Sequence, residues 1–122
     1  MSSKTNIVSN PPYKIFIDDF RTPEMVFSKE ESMGWTICKS SKEAIEFVNK
    51  KGYMPYHIAF DHDLGEDKNG TDTTVKFILW LVAAHLDERV KGEIPSYSIH
   101  SSNPDGIKNI ESKMETWKKV AG

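Results

Sequence analysis

Three short segments carry the chemistry this chain could do: Asp18-Asp19, Asp61-His62-Asp63 and His100-Ser101-Ser102-Asn103. Four carboxylates gathered in one crevice repel each other, which raises a pKa or calls for a cation. Mg²⁺ or Mn²⁺ suits such a site, because both prefer carboxylate and water oxygens and leave positions for phosphate oxygens. The candidate ligands are found among Asp18, Asp19, Asp61 and Asp63. Side chains alternate along a strand, so Asp61 and Asp63 should share one side and His62 point to the other. One member of the Asp18-Asp19 pair, with Asp61 or Asp63, then makes the cation site. His100 is the candidate for proton transfer, since an imidazole with a pKa of about 6.5 works near neutrality, or else it is a strand-end histidine bonded to a neighbouring carbonyl. Arg21 offers a planar fork to a phosphate, or else a salt bridge to Asp18 or Asp19. Ser101 and Ser102 offer hydroxyls to phosphate oxygens or satisfy a turn. Asn103-Pro104-Asp105-Gly106 leads into a helix whose free amides suit an anion, or is a turn and cap alone. His62 is a ligand, an acid or base, or a satisfied structural residue; His57 and His85 read as structural.

For these segments to meet, several strands must end at one edge. Tyr13–Ile17 reads as a strand running into Asp18-Asp19, and Arg21-Thr22-Pro23 breaks it. Phe27–Met33 is a weak short helix with Ser28 as cap. Trp35–Cys38 is a second strand. Ser40 and Glu43 form a capping box that opens a helix carrying Ala44, Ile45 and Val48 on one face, closed by Lys50, Lys51 and Gly52. Tyr56–Phe60 is a third strand, ending in Asp61-His62-Asp63. Glu66–Gly70 reads as a polar loop, and Thr71 or Asp72 caps a helix running to about Val90. Ser96–Ile99 is the fourth strand, running into His100. The last helix sets Ile107, Ile110, Met114, Trp117 and Ala121 on one stripe.

Alternation of this kind implies a parallel sheet with right-handed crossovers. The expected fold class is α/β, a receiver- or flavodoxin-like three-layer sandwich. Its sheet is reduced and mostly four-stranded, in the order 2-1-3-4. Strands one and three then flank the point where the order reverses, and such crevices hold ligands beyond the carboxyl ends of the strands. Aspartate at a strand end often does no more than make a turn. Three polar segments at matched strand ends favour a functional crevice.

The chain has 122 residues, 16 Lys plus Arg against 18 Asp plus Glu, and a formal charge of −2. That length suits one domain, residues 13–122, behind a flexible arm, residues 1–12. With 38% hydrophobic residues it is not a disordered tail, and its charge is not that of a protein held to nucleic acid by phosphate contacts alone. The single cysteine, Cys38, excludes a disulfide scaffold and a zinc ribbon. A reducing, cytoplasmic compartment is expected. Met1–Asn10 is too polar for a signal peptide. The longest apolar run, Phe77–Ala84, falls short of the roughly 20 residues of a membrane span. That run is apolar on every side, which suggests a central helix or a homodimer contact around Trp80. Trp35, Trp80 and Trp117 occupy core-like positions.

An acidic pair after strand one, an Asp after strand three and a hydroxyl after strand four resemble the receiver domains of two-component signalling. Two departures stand out: no fifth strand with its lysine follows, and His100 precedes Ser101 where a receiver has an apolar residue. Asp18-Asp19-Phe20-Arg21-Thr22-Pro23, Asp61-His62-Asp63-Leu64-Gly65, and His100 to Gly106 with Asn109 are similar to the cyclic-phosphate processing receiver domain family, a receiver-like fold of bacteria and phages. The resemblance covers about Tyr13 to Asn109. It implies a metal-dependent phosphoesterase acting on the cyclic phosphate of a nucleotide or an RNA end. In that reading Asp18, Asp19, Asp61 and Asp63 hold Mg²⁺ or Mn²⁺, and His100 with Asp61 or Asp63 does the chemistry. Arg21, His62, Ser101, Ser102, Asn103 and Gly106 bind the substrate. The alternative is a cyclic-nucleotide binding module that does not cut. A phosphoaccepting regulator and a nuclease resembling TOPRIM domains are further readings, the latter resting on Asp61-His62-Asp63.

Overall fold

The computed structural model describes residues 10–67 and 70–122. Its elements are β1 (Lys14–Ile17), α1 (Pro23–Val26), β2 (Trp35–Cys38), α2 (Ser41–Lys51), β3 (His57–Phe60), β4 (Asp63–Asp67), β5 (Gly70–Thr73), α3 (Thr74–Leu86), β6 (Ser96–Ile99) and α4 (Pro104–Ala121). Most of the expected N-terminal arm, residues 1–9, lies outside the described residues. At the arm's end the Tyr53 hydroxyl donates to the Pro11 carbonyl at 2.6 Å.

Four strands form a parallel sheet in the order β2-β1-β3-β6, which is the expected 2-1-3-4 with β6 as its fourth strand. The register sets Ile17 opposite Phe60, and Phe60 opposite Ile99. It carries on one residue past the strands: the Asp61 amide donates to the Ile17 carbonyl and the His100 amide to the Phe60 carbonyl. Asp18, Asp61 and His100 are therefore delivered to one edge at one level.

Alternation along the strands splits the sheet into two faces. Ile15, Ile17, Ile58 and Phe60 are fully buried against Ala44 and Val48 of α2, Phe77, Ile78 and Leu81 of α3, and Ile110, Met114 and Trp117 of α4. Burying each such side chain stabilises the fold by about 1.5–3 kcal/mol. On the opposite face Phe16 meets Phe27 and Trp35 edge-on, and Phe27 stacks on Trp35 with ring centroids 5.2 Å apart. Here the third layer is thin, because the segment between β1 and β2 holds only the four-residue α1.

Several local expectations are corrected. The first short helix is Pro23–Val26, not Phe27–Met33. Pro23 stands at its first position, where a missing amide costs nothing, so it starts a helix rather than merely breaking a strand. Ser28 makes a single turn, its hydroxyl oxygen accepting from the Glu31 amide. Glu43 of the expected capping box accepts from the Lys39 amide, while Ser40 accepts from the Glu43 amide as foreseen. The polar loop after Asp63 is an antiparallel hairpin, β4–β5, with an irregularity in register between Asp63 and Glu66. Thr73, not Thr71 or Asp72, precedes α3, which ends at Leu86 before Asp87. Asp72 serves a different helix: its buried carboxylate accepts the Ser41 amide at 2.9 Å and the Ser41 hydroxyl at 2.5 Å. That pair ties the hairpin to the start of α2.

Of the three tryptophans only Trp117 is fully buried. Trp35 lies under the Lys14 ammonium and Trp80 under the Arg89 guanidinium. On α3, Leu79 and Leu86 remain exposed while Phe77, Ile78, Leu81 and Ala84 are buried. His57 and His85 are structural. The His57 ring nitrogens lie 2.8 Å and 3.0 Å from the hydroxyls of Ser96 and Ser98. His85 Nδ1 accepts from the Trp117 indole at 3.0 Å. Among the described residues no helix is long and apolar enough to cross a membrane.

Candidate functional site

Asp18 follows β1 directly and is 1% exposed. Its Oδ1 accepts the amides of Phe20 at 2.9 Å and Arg21 at 2.8 Å, a side-chain turn that ends the strand. Its Oδ2 lies 3.0 Å from His100 Nε2 and 3.5 Å from Arg21 Nη1. The same Arg21 nitrogen donates to the His100 carbonyl at 2.6 Å and reaches within 4.0 Å of Asp61 Oδ1. Of the two readings of Arg21, the geometry favours the salt bridge, to Asp18 and also to Asp61.

Asp18, Asp19 and Asp61 each place one carboxylate oxygen within 4.8 Å of the others. Burial and the neighbouring Asp18 push the Asp61 carboxyl up to about 6, against the opposing pull of Arg21. Crowded carboxylates with one guanidinium beside them among the described residues fit a divalent oxygen-loving cation. The donors differ in readiness. Both Asp18 oxygens already face two donors each, so Asp18 orients the cluster. Asp19, which is exposed, and Asp61 are freer to ligate.

Asp63 goes elsewhere. Its Oδ1 lies 3.0 Å from His62 Nδ1 and its Oδ2 accepts from the Asn103 side-chain amide at 3.2 Å. Those bonds, Asn103's first, hold its carboxyl below the usual range. The expected sharing of one side by Asp61 and Asp63 fails because β3 stops at Phe60. Asp61 and His62 lie in a bend, and alternation restarts with β4.

Asn103 Oδ1 accepts the Gly106 amide, and the Asn103 amide donates to Ser101 Oγ. Pro104-Asp105-Gly106 is thus the first turn of α4 with Asn103 as its cap, and Ser102 is exposed beside it. A Cβ on Gly106 would fall 2.5 Å from His62 Cγ, so only glycine lets this ring lie against the helix start. His62 Nε2 is buried with no partner among the described residues.

His100 is buried behind Asp18 with its side chain 7% exposed, and its ring stacks on Phe16 at 4.6 Å. Burial lowers its pKa, and the Asp18 carboxylate opposes that shift. Its Nε2 faces Asp18, and its Nδ1 is buried with no partner among the described residues. Two residues escaped the sequence reading of the site. Phe16 supports His100. Gly65, at φ +80°, brings the hairpin so close that a Cβ there would lie 3.1 Å from Asp19 Oδ2. A glycine two residues beyond Asp63 was the available signal for such an approach.

Residues 13–116 match the family described as Cyclic-phosphate processing Receiver domain. No curated protein and no solved structure matches the chain.

Proposed function

The chain belongs to the cyclic-phosphate processing receiver domain family, and on that premise we propose that it is a metal-dependent phosphoesterase opening the cyclic phosphate of a nucleotide or RNA end. The observation that carries the reading is the convergence of the Asp18, Asp19 and Asp61 carboxylates at the end of β1 and β3. Asp19 and Asp61 would hold Mg²⁺ or Mn²⁺. Such an ion, when bound, supplies charge neutralisation at phosphate oxygens and an activated water. Asp18 orients the site, its Oδ2 held against His100 Nε2 at 3.0 Å. Arg21 holds Asp18 and Asp61 together and adds positive charge where a cyclic phosphodiester, itself an anion, would approach. Ser101 and Ser102 stand on the loop between His100 and α4 as further donors.

A second reading, a module that binds a cyclic nucleotide without cutting it, is favoured by one observation. The unpartnered nitrogens of His62 and His100 are both buried, so neither ring offers an open nitrogen as proton donor. Phosphorus NMR of 2′,3′- and 3′,5′-cyclic nucleotides and of an RNA ending in a cyclic phosphate separates the two. Each ligand is run with Mg²⁺, Mn²⁺ and chelator, on wild type and on Asp61→Asn. Metal-dependent appearance of a linear phosphate, lost in the variant, supports the phosphoesterase. Line broadening without conversion supports the binding module. Unchanged spectra throughout overturn both.

A further inference from the structure

Phe20 is the most exposed large hydrophobic side chain among the described residues, at 74%. A single exposed hydrophobic residue is ordinary on a surface. What distinguishes this one is its place, between Asp19 of the carboxylate cluster and Arg21 of the ion pair. Neighbouring Cα atoms lie about 3.8 Å apart, so its backbone stands at the rim of the site. Its backbone is also fixed, because its amide and that of Arg21 both donate to Asp18 Oδ1. Phe16, on the same strand end, spends its ring on His100, Phe27 and Trp35. The Phe20 ring contacts no other aromatic ring among the described residues, and at 74% exposure most of its surface is open to a ligand.

We propose that Phe20 is the stacking platform for the nucleobase of the ligand, so that the site selects cyclic phosphates carrying a base over base-free cyclic esters. This rests on the cyclic-phosphate reading above and narrows it. A phosphate seated at Asp19 and Asp61 has its ribose and base within reach of the adjacent residue. Stacking on an aromatic side chain is tolerant of base identity, and its loss weakens binding by about 5- to 150-fold per base. The platform therefore contributes affinity and recognition of a nucleoside with little choice among the four bases.

The test uses wild type, Phe20→Ala and Phe20→Trp, with Mg²⁺ present. The ligands are 2′,3′- and 3′,5′-cyclic AMP, a short RNA ending in a 2′,3′-cyclic phosphate, and methyl riboside 2,3-cyclic phosphate, which lacks a base. Proton NMR gives a dissociation constant by titration for each ligand that persists, and KM from the progress of conversion for each that is opened. Phe20→Ala should weaken the base-carrying ligands about tenfold and leave the base-free ester unchanged. Phe20→Trp should keep affinity, and its added emission should be quenched by the base. The tightest base-carrying ligand identifies free nucleotide or RNA end as the source. Equal affinities in wild type and Phe20→Ala overturn the platform while leaving the cyclic-phosphate reading intact. Equal weakening of base-carrying and base-free ligands also overturns it. Wild type binding none of the four overturns both.

Discussion

His100 Nε2 lies 3.0 Å from Asp18 Oδ2, joining residues 82 positions apart at the ends of β6 and β1. The two strands are not neighbours; β3 lies between them. The bond thus spans the sheet edge above Asp61, and the Phe16 ring beneath His100 keeps the imidazole from turning away. Asp18 gains one of the hydrogen-bond partners that a carboxylate needs when it is 1% exposed.

Removing that partner should cost more than a typical surface change. His100→Ala leaves Asp18 buried with one fewer donor and opens space beside Phe16. A loss of about 2–4 kcal/mol is expected in urea unfolding at pH 7.5. His100→Gln, which can still donate, should recover part of it. If His100→Ala unfolds like wild type, the bond contributes nothing to the folded state.

Asp61 should show the opposite sign. Its folded pKa of about 6 stands above the ordinary 3.8, so the folded state holds the proton more tightly. Stability from this group is therefore greatest below about pH 4 and is lost as pH rises through 6. Asp61→Asn should stabilise the metal-free protein at pH 7.5 by up to about 3 kcal/mol, with the gain fading toward pH 4. His100 pulls the other way, since burial lowers its pKa from 6.5. Its unfolded form takes up the proton first, so it costs stability as pH falls below 6.5. Thermal unfolding across pH 4–8 of wild type, Asp61→Asn and His100→Gln separates the two contributions. Mg²⁺ should raise the melting temperature of wild type and not of Asp61→Asn.

Gly106 makes a sharp test of tertiary against local preference. Inside a helix, Gly→Ala ordinarily stabilises by about 1 kcal/mol. Here the new methyl would meet His62 Cγ at 2.5 Å and Cβ at 2.7 Å. Gly106→Ala should destabilise by about 1–3 kcal/mol. Gly106→Ala combined with His62→Gly, which removes both the ring and the Cβ, should recover part of the loss. A double-mutant cycle by chemical unfolding measures that coupling.

Gly65 should matter for the cluster more than for the fold. Its φ of +80° strains any other residue, and a side chain there would press on Asp19 Oδ2. Gly65→Ala should lower stability by about 1 kcal/mol. It should also weaken Mn²⁺ binding, read by calorimetric titration. Unchanged Mn²⁺ affinity would separate Asp19 from the cation site.

Asp72 should behave as a tie between hairpin and helix. Asp72→Ala strands the buried Ser41 amide and hydroxyl and should cost about 2–4 kcal/mol. Limited proteolysis should then cut faster between β4 and β5, whereas Ser41→Ala, which keeps the amide bond to Asp72, should show a smaller effect.

Periodicity and punctuation in the sequence determined the four strands of the sheet, α2 with its Ser40 cap, and α4 with its buried stripe, while the order of the sheet was expected only from the likeness of this alternation to receiver- and flavodoxin-like folds. The strands and helices follow from patterns that repeat every two or about four residues within one segment. The polar strand ends also declared themselves, because Asp18 and Asp61 each follow an apolar run at once and His100 follows the alternating Ser96–Ile99. Other features needed the folded chain. The hairpin after Asp63 is polar and short, so nothing in its composition marks a pair of strands. The parting of Asp61 from Asp63 depends on where β3 stops. Asp72 sits two positions before α3 and reads as its cap, yet it bonds to Ser41 of a different helix. His100 reads as a free acid, yet Asp18 and Phe16 enclose it. In each case the deciding partner lies about 30 to 80 residues away or across a bend, and a local pattern carries no information about a contact that only packing creates.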